Sequence, residues 1–134
     1  MLRRLIDLPL LHFRIFLFAA TVPLILRLPL PRVEQLLRPR RRRSQRAAVN
    51  ADEVVRCVDR VLASTNRLLR PGCLTRGVTL YYFLRRAGID VSLSFGIGDI
   101  DGRFAGHCWL VKSGEPFLER NDPTHAFASF YTLR

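Results

Sequence analysis

Lysine is almost missing from this chain: Lys112 is the only one among 22 basic residues, set against 11 acidic ones. The remainder is arginine, a skew that coding-DNA composition produces as readily as selection for phosphate contacts. The net charge of +11 favours an acidic partner (peptide, membrane or nucleic acid) without choosing among them. Aromatic residues are not interleaved with the arginine run from Arg38 to Arg46, which argues against stacking on single-stranded nucleic acid. Cysteine is scarce as well. Cys57, Cys73 and Cys108 are odd in number, with no CxxC pair. This excludes a disulfide framework and implies a reducing, cytoplasmic compartment. Zinc-like ligation by Cys73, His107 and Cys108 is disfavoured because neighbouring strand residues 107 and 108 point to opposite faces. Neither a metal nor a cofactor is expected. A long apolar run is also lacking: Ile15–Leu26 is the longest uncharged stretch and contains Pro23. It falls short of the ~20 residues that cross a bilayer.

What remains is ample for a core. Hydrophobic residues make up 49% of the 134, enough for one small domain with an appended arm. Residues 1–49 read as an apolar helical arm followed by the arginine-rich linker, and residues 50–134 as the main domain. The arm suits a pair of amphipathic helices that either complete the core or lie against a partner or membrane. Asn50 with Glu53 three residues on marks a helix start, and Val54, Val58, Val61 and Leu62 give that helix one apolar face. Cys57 within it is most simply a small buried hydrophobe. A second helix follows Pro71-Gly72 and closes at Gly88. The period then changes to two at Val91, Leu93 and Phe95, with a bend and turn from Gly96 to Gly102. Strands over 103–112 and 116–120 flank a Ser113-Gly114 hairpin, and an apolar tail from Phe127 packs back. The expected fold is α+β, with helices on one side of an antiparallel sheet.

Cys73 opens the second helix, and His107 follows 34 residues later on a strand. Unpaired N–H groups and the helix dipole at such a position favour thiolate over thiol. An imidazole beside it takes the proton, and a third group must orient that ring. Trp109 shares the face of His107 by strand alternation, as wall or as core. Two acids compete for the third place. A two-residue hairpin loop pairs 107 with 120 and puts 118, 120 and 122 on the His107 face. A three-residue loop pairs 107 with 121 and puts Glu119 there instead. The acid is therefore Glu119 or Asp122.

Cys73-Leu74-Thr75-Arg76, the helix end Leu84–Val91, Leu93–Gly98, and Gly106-His107-Cys108-Trp109-Leu110-Val111 with Gly114-Glu115-Pro116 resemble a transglutaminase-like cysteine peptidase. The nearest likeness is to the lasso peptide biosynthesis B2 proteins, the leader peptidases of lasso peptide maturation, over roughly residues 50–134. The resemblance implies a transglutaminase-like, papain-like core with a Cys-His-acid triad. Cys73 would be the nucleophile and His107 the base and then the acid. The family's acid position falls on Glu119, although Asp122-Pro123-Thr124 matches the Asp-Pro-Thr wording of related folds. It also implies partners: the precursor peptide, a separate leader-binding protein and an ATP-dependent lasso cyclase, with no nucleic acid. Two other classes stay open beside it, a transglutaminase-like acyl transferase and a non-catalytic basic adaptor for peptides.

Overall fold

The computed structural model describes residues 2–38, 50–69, 72–119 and 121–134. The arginine run beyond Arg38, Pro71 and Arg120 lie outside the described residues. Two helices, α1 (Leu2–Ile25) and α2 (Leu30–Leu37), form the arm. Helix α3 (Ala51–Ser64) is capped by Asn50, whose side chain accepts a hydrogen bond from the Asp52 N–H at 3.1 Å. The cap is thus an Asx type at the second helical residue, and the Glu53 side chain contributes no reciprocal bond among the described residues. A four-residue helix α4 (Asn66–Leu69) leads toward α5 (Cys73–Arg86), which ends where Gly88 takes φ +86°.

Four antiparallel strands follow in the order β3-β2-β1-β4: β1 (Ser92–Ile100), β2 (Arg103–Lys112), β3 (Glu115–Phe117) and β4 (Ala128–Leu133). Strand β1 runs straight through the expected bend at Gly96, and only Asp101-Gly102 turns. Both residues there have positive φ, as do Ser113 and Gly114, so both hairpins close with the two-residue turn that matches strand twist. The tail is a full fourth strand paired with β1. Its pairing skips Phe130, since Phe95 faces Tyr131 while Gly96 faces Ser129. That bulge breaks the alternation and hides the strand from a period-two reading.

Alternation sorts the sheet into two faces. Leu93, Phe95, Cys108, Leu110 and Leu133 join the buried cluster under the helices, with Val58, Val78, Tyr81 and Leu84. The arm belongs to the same cluster: Ile15, Ala19, Val22, Val33 and Leu37 are buried in it. One side of the arm is therefore core, and α2 is tied to β4 by the Tyr131 hydroxyl, which donates to Glu34 Oε2 at 2.9 Å. Helix and sheet meet closely at Gly77, where a Cβ would lie 2.7 Å from Cys108 Sγ.

Candidate active site

Helix α5 begins at Cys73, directly after Gly72, which is itself extended. Gly72 brings no capping side chain, and the Arg76 N–H is the first to bond back, to the Gly72 carbonyl at 3.1 Å. The amides of residues 73–75 are thus left without helical partners beside an exposed Cys73. The other two cysteines are buried. Cys108 Sγ donates to the Cys73 carbonyl at 3.1 Å, and burial, with Cys73 beside it, pushes its thiol far above the usual value. It is a structural thiol that anchors the start of α5 to the sheet. The Cys57 thiol is also raised, first by burial and then by Glu53.

His107 lies on the face of β2 opposite Cys108. Its ring stacks on Trp109 at 6.0 Å between centroids and meets Phe127 at 5.0 Å. Trp109 is nearly fully buried, yet it stands outside the main core cluster. Its space is made by Gly96, where a Cβ would sit 2.7 Å from the indole. At Gly98 a Cβ would run into the Ala126 carbonyl. These two glycines let the chain cross the sheet from β3 to β4 and lay Phe127 beside the imidazole. Trp109 is therefore a wall of the site. Phe127 is a second wall that sequence reasoning assigned only to a packing tail, since its partner is 20 residues away.

Of the two candidate acids, Glu119 is the one beside the imidazole: its Oε2 lies 3.6 Å from His107 Nε2, each side chain about a quarter exposed. The hairpin loop is two residues, with Leu110 facing Phe117 and Lys112 facing Glu115. Simple alternation from that register puts Glu119 on the wrong face. The expectation fails because β3 stops at Phe117 instead of running to residue 120, and Leu118 adopts φ +64°. A left-handed residue swings the chain, and Glu119 comes round to the imidazole. Asp122 is occupied elsewhere. It caps the 3-10 turn Pro123–His125 by accepting from the Thr124 N–H at 2.9 Å and the Thr124 hydroxyl at 2.5 Å. Those bonds, the hydroxyl first, hold its carboxyl below the usual value. Among the described residues its histidine partner is the exposed His125, at 3.7 Å.

Cys73, His107 and Glu119 line one cleft of about 140 Å³, together with Arg76, Gly77, Trp109 and Phe117. No direct Cys73–His107 hydrogen bond is formed; such contacts commonly tighten only with substrate in place. Two further clefts adjoin it, of about 660 Å³ on the Phe127 and Asp122 side and about 320 Å³ beside α3 and Gly72. Arg76 and Asp59 stand between them, joined by a two-pronged pair at 2.8 and 3.2 Å. The Asp59 bond holds the Arg76 guanidinium above its usual value. Among the described residues, no cluster of three or more histidine, cysteine or acidic side chains is placed to hold a metal ion.

The chain as a whole, helices packed against an antiparallel sheet, matches a known family over residues 18–132. The chain belongs to the transglutaminase-like superfamily. The match begins within α1, so the superfamily's region takes in part of the arm as well as the sheet. No curated protein and no solved structure gave a significant match. The transglutaminase-like domain is typically a cysteine-based catalytic unit, found in both peptidases and acyl transferases.

Proposed function

We propose that the chain is a cysteine peptidase that removes the leader from a ribosomally made lasso precursor peptide. The observation that carries the catalytic part is the shared cleft of Cys73 and His107, with Glu119 3.6 Å from the imidazole. Because Nε2 faces the carboxylate, Nδ1 is the nitrogen left for the sulfur. Nε2 keeps its proton toward Glu119, and Nδ1 accepts the thiol proton. The Cys73 thiolate attacks the scissile carbonyl carbon, and the Cys73 N–H, which has no partner within α5, is one donor to the oxyanion. Collapse breaks the C–N bond as the imidazolium gives its proton to the leaving amine. Water then attacks the thioester, losing its proton to His107, and the carboxylate product leaves with the free thiolate restored. The leader-peptidase part rests on the Cys-Leu-Thr-Arg and Gly-His-Cys-Trp-Leu sequence resemblance. On that reading the protein works in the cytoplasm with a separate leader-binding protein and an ATP-dependent lasso cyclase.

The test is to incubate precursor, leader-binding protein and this chain and to follow leader release by mass spectrometry. Release is expected from the native chain and not from Cys73→Ala. Cleavage retained in Cys73→Ala would overturn the mechanism. A second reading, acyl transfer, draws on the aromatic walls Trp109 and Phe127, which limit water beside the imidazole. The same spectra separate the two, since hydrolysis adds water to the acyl product and transfer adds an amine.

A further inference from the structure

Helix α1 is apolar on both sides, and only one side is used. Ile15, Ala19 and Val22 are buried in the core at 0%, 1% and 0% exposure. Opposite them stand Leu10, Phe13, Leu17 and Leu24, exposed at 55%, 57%, 47% and 62%. At 3.6 residues per turn these four fall within about 60° of arc and run about 21 Å along the helix. Four large apolar side chains in one exposed line are an interaction surface and not scattered surface residues.

The charge around the stripe identifies what it meets. Between residues 8 and 38 the basic side chains Arg14, Arg27, Arg32 and Arg38 are all exposed. The single carboxylate in that span, Glu34, is engaged by the Tyr131 hydroxyl. An apolar line on an arm whose described arginines are exposed, with Glu34 the one carboxylate between residues 8 and 38, complements the boundary between acyl chains and anionic headgroups. A second copy of this chain is a poor occupant, because each copy carries +11 and presents the same cationic flank. By length and composition α1 from Leu8 to Ile25 also passes for a membrane-crossing helix. Its opposite face is core, and crossing would tear Ile15, Ala19 and Val22 out of the domain.

We infer that α1 is an in-plane membrane anchor: it lies on an anionic lipid surface with Leu10, Phe13, Leu17 and Leu24 inserted. This surface is separate from the cysteine cleft, so the inference stands whether or not the peptidase reading holds.

The full chain is mixed with vesicles of phosphatidylcholine containing phosphatidylglycerol, or of phosphatidylcholine alone, and sedimented. Tenfold or greater preference for the anionic vesicles is expected, weakening as salt rises. Leu17→Glu with Leu24→Glu should lower that binding at least tenfold while far-ultraviolet circular dichroism is unchanged. Should that variant unfold, Leu17→Gln with Leu24→Gln carries the same expectation. No binding to anionic vesicles overturns the inference, and so does equal binding by a folded stripe variant, which places the attraction elsewhere. A Leu17→Trp reporter quenched by lipids brominated near the headgroup supports in-plane docking. Quenching only from mid-chain bromine would show a crossing helix and overturn it. Loss of a dimer in the stripe variant, with no vesicle binding by the native chain, would assign the stripe to a second copy.

Discussion

Glu119 meets His107 because Leu118 turns the wrong way for a leucine. Its φ of +64° ends β3 after three residues and reverses the face that the hairpin register would dictate. A left-handed conformation costs an ordinary L-residue about 1–2 kcal/mol, so the surrounding packing must hold it. Leu118 packs against the core cluster, which supplies that hold. Strain kept at one residue thus aims the acid at the imidazole.

Replacing Leu118 tests that geometry. Leu118→Val puts a β-branched residue where left-handed backbone is least tolerated, and it should lower stability by about 1–2 kcal/mol. Peptide cleavage should fall mainly in kcat, because the acid is misaimed while the substrate clefts persist. Leu118→Gly accepts the same φ freely and should retain more activity than Leu118→Val, despite its lost side chain. Steady-state kinetics and thermal melts on the two variants check the order.

The two candidate acids should separate cleanly. Glu119→Gln removes the carboxylate facing Nε2 and should lower kcat on the order of 10²-fold or more, with KM little changed. Asp122→Asn keeps an acceptor for Thr124 and should cleave near the native rate. The opposite ranking would assign the acid to Asp122 and reject the geometry in the cleft.

The contact between Gly77 and Cys108 predicts a compensating pair. Gly77→Ala drives a methyl group to within 2.7 Å of the Cys108 sulfur and should cost about 1–3 kcal/mol through overpacking. Cys108→Ala withdraws that sulfur. The double variant should therefore lose less than the two single losses added, with a coupling of about 0.5–3 kcal/mol. Denaturant melts of all four chains complete the cycle, and strict additivity would deny the contact.

Thiol chemistry should follow burial. Iodoacetamide applied to the native protein should label Cys73 alone, and only unfolding should open Cys57 and Cys108. The raised Cys108 value also sets an alkaline limit. A thiol whose folded value is raised gives stability that is complete below its usual 9.0 and declines as pH climbs above it, because only the unfolded chain can then ionise. The melting temperature should fall above about pH 9, and fall less steeply in Cys108→Ala, as thermal melts across that range would show.

Most of the frame was legible from local signals. Asn50 announced α3, Gly72 and Gly88 bracketed α5, and Ser113-Gly114 marked the β2–β3 hairpin while allowing a loop of two or three residues. The placement of Cys73 at a helix start and of His107 on a strand was legible in the same way, and the two line one cleft. The misses share one cause: they depend on single residues whose conformation is imposed from a distance. Phe130 bulges out and masks β4. Leu118 goes left-handed without being a glycine or an asparagine, so no local preference marks it. Phe127 lies beside His107 only because Gly96 and Gly98 open a path across the sheet. The arm was readable as amphipathic, but which of its two apolar sides would be covered was set by α3 and α5.

The bond between Tyr131 and Glu34 joins groups 97 residues apart, one on the second helix and one on the last strand. On a ribosome adding about 5–20 residues each second, the arm emerges about 5–20 s before the strand that clasps it exists. Until α3 and α5 have followed, α1 shows solvent both of its apolar sides, and α2 lacks its clasp until β4 is made. The arm is thus clasped by a strand made long after it, and in those seconds holdase, lipid or aggregation competes for its apolar sides.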